Sequence, residues 1–177
     1  MANNEVGTIQ PVKELCAIAH GAGALFHTDA VQAAGKVPVS VRDLGVDLLS
    51  MSSHKINGPK GVGALYIREG LDIMPLIHGG GQESSLRSGT ENVHGIVGFG
   101  KACELAALRL PQYQRQVAEL RDYLIKRVLE EIPHSRLNGS MSSRLPGNAH
   151  FTFFGVNGED LIIKLDENGI AASTGSA

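Results

Sequence analysis

The sequence predicts an α/β fold with a mainly parallel sheet, one antiparallel hairpin strand and part of a smaller α+β C-terminal domain. Residues 11–19 place apolar side chains at helical spacing, and residues 24–29 and 46–53 are short predicted strands that begin apolar and end polar. A helix followed by such strands is typical of a layered α/β sheet. Residues 61–67 form a further predicted strand. It follows the previous one too closely for a parallel crossover, which takes about a dozen residues, so this pair is predicted to be an antiparallel hairpin.

The middle of the chain is predicted to be a loop followed by two long helices. Residues 78–90 are rich in Gly and Ser, and residues 93–109 and 112–132 have helical periodicity, with Pro111 separating them. The second helix has one apolar stripe, which we interpret as facing the core. Its members are Val117, Leu120, Leu124, Val128 and Ile132.

The C-terminal part is predicted to be an α+β segment. Residues 149–154 alternate like a strand, residues 158–167 have helical spacing, and residues 169–177 are a further predicted strand. The long helices are then a bridge between two domains. The predicted division is residues 1–92 as part of a large domain that would hold a cofactor, residues 93–132 as bridging helices, and residues 133–177 as part of a small C-terminal domain.

The composition excludes several classes of protein. The chain has 177 residues with 16 basic against 18 acidic side chains, and its formal net charge of −2 provides no basic surface for nucleic acid. No apolar run approaches the roughly 20 residues of a membrane-spanning helix, and no signal segment opens the chain. We therefore expect a soluble, cytoplasmic protein with no nucleic-acid or membrane partner. Cys16 and Cys103 lie in predicted helices, without the spacing of a zinc site or a disulfide scaffold.

Two side chains at predicted strand ends carry the candidate chemistry. Lys55 follows a buried strand and precedes a Gly/Pro turn, and Asp29 ends its own strand, where ligands of open α/β sheets gather. An amine and a carboxylate at one sheet edge match the needs of pyridoxal phosphate, which attaches to an amine and needs an anion beside its ring nitrogen. On position alone, a solvated Lys55 and an Asp29 helix N-cap remain open.

Neighbouring polar residues add donors that suit the same ligand. Gln32 follows Asp29 by about one helical turn, so its amide could reach the same place. Ser52 and His54 offer a hydroxyl and an imidazole suited to a phosphate, and residues 88–90 offer more donors in the glycine-rich loop. Without the rest of the motif, the default interpretation of His54 is a packing histidine.

A metal site is the competing interpretation of part of this set. His27, Asp29 and His54 resemble scattered metal ligands. His27 and Asp29 share one strand face, however, and they bring no second carboxylate nearby. The sequence therefore predicts no metal ligands.

Five motifs, in this order and spacing, make the chain resemble the NifS/IscS-type cysteine desulfurases. They are ANNEVGT at residues 2–8, HTDAVQ at residues 27–32, SSHKINGPKG at residues 52–61, GGGQE at residues 79–83 and RSGTEN at residues 87–92. The resemblance extends over nearly the whole chain. It implies fold type I of the pyridoxal-phosphate enzymes, in agreement with the predicted strands, and a homodimer.

The resemblance also implies a role for each candidate residue. Lys55 is implied to be the catalytic lysine that carries the cofactor, pyridoxal 5'-phosphate. Asp29 is implied to pair with the pyridine nitrogen, and Gln32 with the ring hydroxyl. The remaining implied contacts are those of Ser52 and His54 with the phosphate, of Asn4 with the cofactor and the substrate carboxylate, and of Thr90 with the phosphate of the partner subunit's cofactor.

The implied activity is the conversion of L-cysteine to L-alanine, with the sulfur transferred as an enzyme persulfide. The implied acceptor is an iron–sulfur scaffold or another sulfur-accepting protein. A selenocysteine lyase or another relative within the class V aminotransferases would share the cofactor residues. A non-enzymatic structural module from a split gene is the alternative outside the enzymes.

Two departures from the family pattern affect these expectations. Ser53 stands where many relatives carry glycine or alanine, a change that we expect to be tolerated. Family members are also much longer, and residues 173–177 resemble the segment that precedes their catalytic cysteine. Neither Cys16 nor Cys103 stands in that motif, so we expect the chain alone to lack desulfurase turnover.

Overall fold

A computed structural model describes residues 1–175, which divide into two compact units. The first unit is Pro11–Arg109, and the second combines Met1–Gln10 with the chain from Leu110 onward. The first unit contains a three-stranded sheet, and the second contains a two-stranded sheet.

The first unit is built around a sheet with the strand order β1-β2-β3. Its elements are α1 (Val12–Gly21), β1 (His27–Asp29), α2 (Val41–Leu44), β2 (Leu48–Ser52), β3 (Gly63–Ile67), the first part of α3 (Val93–Glu131), and 3-10 turns at Ser53–Ile56 and Gln82–Ser85. Strand β1 runs parallel to β2, and β2 pairs with β3 in the antiparallel direction. The predicted mixed sheet and its hairpin are therefore confirmed.

A buried carboxylate just before β2 ties α1 and the end of β3 to the sheet. Asp47 Oδ2 accepts hydrogen bonds from the Phe26 amide at 2.6 Å and from His20 Nε2 at 2.8 Å. Arg68 Nε lies 2.8 Å from Oδ1 as an ion pair, without the alignment of a hydrogen bond. The hydrogen bonds from His20 and then Phe26 hold the pKa of Asp47 below its ordinary value, although burial acts the other way. The charged carboxylate thus joins three elements.

The core of the first unit lies against the turn that follows β2. Ala34, Ile56, Phe99 and Ala102 form a buried cluster that joins the segment after β1, the turn after β2 and helix α3. Gly35 has a φ of 72°, and a Cβ at this position would lie 2.8 Å from Ile56 Cγ2. Only glycine adopts a positive φ and approaches Ile56 this closely without strain. Gly35 therefore allows the segment after β1 to pack against the turn after β2.

The second unit contains the remainder of α3, an antiparallel strand pair and a final helix. Strands β4 (Ser135–Leu137) and β5 (Phe151–Phe153) pair with each other, and α4 spans Gly158–Glu167. Asn157 caps this helix, since its Oδ1 accepts a hydrogen bond from the Glu159 amide at 2.9 Å. The predicted helix at residues 158–167 is confirmed, whereas β4 was not predicted.

The two predicted long helices are one continuous helix, so the predicted break at Pro111 is wrong. Proline inside a helix removes one hydrogen bond and crowds the preceding turn, which costs about 3 kcal/mol. Phe99 on one side and Ile125 on the other are buried within their units, and this packing holds both halves in the helical conformation. Although α3 has 39 residues, no helix within residues 1–175 is long and apolar enough to cross a membrane.

The apolar stripe on the second half of α3 is only partly buried. Leu120 is 70% exposed, Leu124 is 49% exposed and Ile132 is 43% exposed, whereas Ile125 is 1% exposed. The prediction that the stripe faces the core is therefore wrong for these three residues. Periodicity identifies an apolar face of a helix, but it does not determine which element covers that face.

The last predicted strand, at residues 169–177, is not present in the described part of it. Residues 170–175 form no strand, and residues 176 and 177 lie outside the described residues. A strand is held by ladder hydrogen bonds to a neighbour, and within residues 1–175 β5 pairs with β4 alone. The apolar run after Gly169 therefore lacks the partner that would make it a strand.

Candidate active site

Five of the seven predicted site residues lie at, or just after, the carboxyl ends of two neighbouring parallel strands; they are Asp29, Gln32, Ser52, His54 and Lys55. Asp29 is the last residue of β1, Ser52 is the last residue of β2, and the register places Asp29 opposite Ser50. In open α/β sheets, this edge is where ligands bind. The two strands lie side by side, as the proximity expected for Asp29 and Lys55 requires.

Strand β1 directs His27 and Asp29 to one face and buries Thr28 on the other. Asp29 Oδ1 accepts a hydrogen bond from the Val31 amide at 2.7 Å, so Asp29 does cap the turn that follows. A carboxylate can accept several hydrogen bonds, which makes this contact compatible with a ligand nitrogen. His27 Nε2 lies 2.6 Å from Ser50 Oγ. No group of three or more His, Cys, Asp or Glu side chains within residues 1–175 could hold a metal ion.

Gln32 lies in the helical turn after β1, where it contacts a lysine that lies outside the five sequence motifs. Lys36 Nζ donates a hydrogen bond to Gln32 Oε1 at 2.6 Å. The Ala34 amide donates to the Ala30 carbonyl at 2.9 Å, which gives this segment the geometry that brings residues four apart together. Both side chains of the Gln32–Lys36 pair are half-buried.

The Gln32–Lys36 pair lies near Lys55. Burial lowers the pKa of Lys36, and the charge of Lys55 lowers it further. The turn that holds Lys36 also packs against Ile56, the residue that directly follows Lys55, through Ala34 and Gly35. The structure thus brings together three of the predicted elements of the site, namely the turn after β1, the end of β2 and the turn that carries Lys55.

Lys55 lies on the single 3-10 turn Ser53–Ile56, directly after β2. Ile56 is buried in the core cluster of the first unit. On the other side of the turn, the Gly58 amide donates to the Ser53 carbonyl at 3.0 Å. The half-buried side chain of Lys55 therefore extends from a backbone that packing and a hydrogen bond hold in place.

Ser53 is fully buried beside this turn, and its Oγ has no hydrogen-bond partner within residues 1–175. A Cβ added to Gly58 would lie 2.2 Å from that hydroxyl, so the turn is closely packed at this point. An unpaired buried hydroxyl costs about 1–3 kcal/mol. Serine therefore fits here sterically, but at a cost that glycine or alanine would avoid.

Ser52 and His54 form a pair suited to an anion. Ser52 Oγ lies 2.9 Å from His54 Nδ1. With a neutral imidazole, either the hydroxyl donates and the ring keeps an Nε2–H, or the ring donates and the hydroxyl keeps its own hydrogen. In both cases the pair retains one hydrogen for a ligand oxygen such as that of a phosphate. Because His54 is exposed, it is not a packing histidine.

The glycine-rich loop uses part of its donor set internally. Ser88 is 7% exposed and its hydroxyl donates to the Gly80 carbonyl at 2.8 Å, while the Gly89 amide donates to Gln82 Oε1 at 3.1 Å. Ser88 therefore closes the loop, and it is not aimed at a ligand. Thr90 is exposed, and its implied contact with the cofactor of a partner subunit stays a prediction.

Asn4 belongs to the second unit, in a tight loop near the start of the chain. Asn148 Nδ2 donates to the Glu5 carbonyl at 2.7 Å, and Arg144 Nη1 donates to the Val6 carbonyl at 2.8 Å. Arg144 is 4% exposed, so the loop is held by a buried guanidinium. The implied contact of Asn4 with the cofactor stays a prediction.

Three residues of this arrangement were not predicted from the sequence. Lys36 follows Gln32 by four residues, a helical spacing that could have identified the pair. Arg144 and Asn148 are distant in sequence from the loop that they hold, and no local pattern marks them.

Neither cysteine is placed for nucleophilic chemistry. Burial raises the pKa of the Cys103 thiol, and burial followed by the charge of Asp47 raises that of Cys16. The thiolate is the reactive form, and an environment that raises the pKa disfavours it. This agrees with the absence of both residues from the motif of the family nucleophile.

Comparison with known proteins gives a family for the whole chain. The family model for aminotransferase class-V, a family of pyridoxal-phosphate enzymes, matches residues 1–177. The curated cysteine desulfurase IscS of Dictyoglomus turgidum is 56% identical over 99% of this chain and 45% of its own length. The chain therefore spans less than half the length of that relative.

Solved structures share the fold as well as the sequence. A NifS-like protein superimposes with a TM-score of 0.89 at 44% identity, over 96% of this chain and 47% of that protein. The NifS-like protein from Rickettsia africae ESF-5 superimposes with a TM-score of 0.91 at 35% identity, over 99% of this chain and 49% of its own. These likenesses confirm the predicted fold class, fold type I with a mixed sheet.

Proposed function

The chain belongs to the aminotransferase class-V family, and from that premise we propose that it carries the cofactor site of a pyridoxal-phosphate-dependent cysteine desulfurase. The observation that supports this most is the placement of Asp29 and of the Ser52–Lys55 motif at the ends of two adjacent parallel strands. Identity to a curated cysteine desulfurase supports the choice of a sulfur substrate. The proposed reaction converts L-cysteine and a protein thiol to L-alanine and a protein persulfide. The thiolate takes the substrate sulfur as the Cβ–S bond breaks, and Cβ takes up a proton.

The residues at this edge fit pyridoxal phosphate by their chemistry. The Asp29 carboxylate suits a protonated ring nitrogen, and the Gln32 amide suits the ring hydroxyl oxygen. The paired Ser52 and His54 keep a hydrogen for the phosphate, and Lys55 provides the amine that attaches to the aldehyde. When bound, the cofactor supplies an electron sink for the α-carbon of an amino acid.

Lys55 and Asp29 have the chemical roles in this proposal. Lys55 first holds the cofactor, and after the substrate amine has displaced it, it takes the proton from the substrate Cα and returns a proton there. Asp29 is an anion beside the ring nitrogen, so it favours the protonated, electron-withdrawing ring. The fixed turn around Lys55 keeps its amine near that Cα.

The remaining roles extend the site to a second subunit and to other proteins. Asn4 is proposed to contact the cofactor and the substrate carboxylate, and Thr90 is proposed to reach the cofactor phosphate across a homodimer. An iron–sulfur scaffold is the proposed sulfur acceptor, and the cytoplasm is the proposed compartment.

The test of the site is covalent trapping in the intact protein. The protein is incubated with pyridoxal phosphate and reduced with borohydride, and the labelled peptide is identified by mass spectrometry. The label is expected on Lys55 and should be lost in Lys55→Ala. Lys60→Ala is the matched control, since Lys60 is exposed five positions later, and it should keep the label. A label on another lysine would disprove the assignment.

The test of the reaction measures the products with two substrates. Alanine and sulfide should form from L-cysteine in equal amounts in the presence of a thiol that releases the persulfide. Asp29→Asn should keep the covalent label but lower product formation by about 10²-fold or more, because it removes the anion that holds the ring proton. Turnover of selenocysteine with none of cysteine would instead indicate a selenocysteine lyase.

A further inference from the structure

Lys36 has no assigned role in the chemistry above, yet it makes a short contact with a proposed cofactor residue. Its Nζ lies 2.6 Å from Gln32 Oε1, in a turn held by buried Ala33 and Ala34. We propose that Lys36 is a positioning residue that fixes the Gln32 amide with its NH₂ group available to the ring oxygen of the cofactor. This inference rests on the proposed function.

The donors and acceptors of the two side chains determine which end of the Gln32 amide faces Lys36. A glutamine amide has an oxygen that accepts and a nitrogen that donates, and its two ends have nearly the same shape. An ammonium group can only donate, so the end of Gln32 that faces Lys36 must be the oxygen. The nitrogen, with two hydrogens, is then the end left for a ligand. It matches an oxygen that accepts hydrogen bonds, such as the phenolic oxygen of pyridoxal phosphate.

The surroundings favour a lasting orientation over a transient one. Both side chains are half-buried, and a hydrogen bond from a charged donor is stronger where water is partly excluded. The backbone of the turn is fixed by Ala34 in the core cluster and by buried Val37. Gly35 of the same turn packs against Ile56, which directly follows Lys55. After burial, the charge of Lys55 also contributes to lowering the pKa of Lys36.

The experiment titrates the cofactor-free, full-length protein with pyridoxal phosphate. The readouts are the dissociation constant, the absorbance maximum of the bound cofactor and the unfolding midpoint of the apoprotein. The variants are Lys36→Met, Lys36→Arg, Gln32→Leu, Gln32→Glu and the double variant with Met and Leu. Lys60→Met is the matched control because Lys60 is an exposed lysine.

The expected result is a non-additive pair. Gln32→Leu and Lys36→Met should each raise the dissociation constant about tenfold, and each should shift the absorbance maximum. A tenfold rise corresponds to about 1.4 kcal/mol, within the range expected for the loss of one hydrogen bond. The double variant should add little to either single one, because both changes remove the same oriented donor. Lys36→Arg should bind like the wild type, since a guanidinium also only donates.

Gln32→Glu separates positioning from folding. A carboxylate keeps the contact with Lys36, so the unfolding midpoint should be preserved, but it lacks the NH₂ group, so the dissociation constant should rise about tenfold. If Gln32→Leu weakens binding while Lys36→Met does not, or if the two effects add, the positioning role is wrong and the proposed site stands. If neither Gln32→Leu nor Lys36→Met changes cofactor binding, both the positioning role of Lys36 and the cofactor role of Gln32 are wrong.

Discussion

Replacing Arg144 with methionine should loosen the loop that carries Asn4. Arg144 is 4% exposed, and its guanidinium donates from Nε to the Ser140 carbonyl and from Nη1 to the Val6 carbonyl, both at 2.8 Å. Its Nη2 donates to the Asn138 carbonyl. Methionine has a similar length but no donor, so these three carbonyl oxygens lose their partner.

The loss of unfolding free energy in Arg144→Met is estimated from the carbonyl oxygens that are left unpaired. Each buried unpaired carbonyl costs about 1–3 kcal/mol, so three of them would cost roughly 3–9 kcal/mol. Two effects reduce this loss. Water can reach part of these carbonyls because Val6, Asn138 and Ser140 are half-buried, and removal of the guanidinium recovers its desolvation cost. Burial, followed by the charge of Arg121, lowers the pKa of Arg144, as that cost requires. We therefore expect a loss of about 3 kcal/mol.

Urea unfolding measures the loss, and hydrogen exchange locates it. In Arg144→Met, the amides of Asn3, Ile9 and Leu145, which donate within this region, should exchange faster than in the wild type. Arg115→Met is the control, since Arg115 is exposed on α3, and it should change stability by no more than about 0.5 kcal/mol. If Arg144→Met is no less stable than this control, or if exchange in residues 1–10 is unchanged, the buried guanidinium does not hold the loop.

Two further predictions concern the frame of the first unit. Ser53→Ala should raise stability by about 1 kcal/mol, because it removes a buried hydroxyl without a partner, and thermal unfolding should show no such gain for the exposed Ser142→Ala. An unchanged midpoint in Ser53→Ala would contradict this. Asp47→Asn should cost about 1–3 kcal/mol at neutral pH. The folded pKa of Asp47 is lowered, so its contribution is complete above the unfolded value of about 3.9 and is lost as the pH falls through the folded value. In urea unfolding, the difference between wild type and variant should shrink below about pH 3.9, and a constant difference would refute the argument.

The elements predicted correctly are those that neighbouring residues determine. The hairpin of β2 and β3 follows from the short connection between them, which allows only an antiparallel pair. Helix α4 begins after Asn157, whose side chain caps it, and its residues have helical spacing. The incorrect predictions depend on contacts with distant residues. The helix continues through Pro111 because both of its halves are packed, and the run after Gly169 has no neighbouring strand among residues 1–175.

The same distinction applies to the site. Asp29, Ser52, His54 and Lys55 could be selected because each lies at or just after a predicted strand end, where the topology of a parallel sheet gathers ligands. The residues that orient them carry no such mark. Arg144 acts on a loop more than a hundred positions away in the chain, as the separation of 138 residues between it and Val6 shows. That relation exists only in the folded protein.

Two of the proposed cofactor residues, Gln32 and Asn4, are neutral amides, and a second residue contacts the side chain of Gln32 and the backbone of the Asn4 loop. An amide can present an acceptor or a donor to a ligand, so its identity alone does not determine what it recognises. In the proposed arrangement, Lys36 sets the orientation of the Gln32 amide because it donates a hydrogen bond to Oε1. At Asn4 the constraint is on the backbone, since Asn148 Nδ2 donates to the Glu5 carbonyl at 2.7 Å. The charged Asp29 has no such ambiguity, because an ionised carboxylate only accepts. In a site that combines amides with a carboxylate, the supporting contacts therefore matter most at the amides. Substitution of Lys36 or Asn148 should alter ligand binding even though neither residue is proposed to contact the ligand.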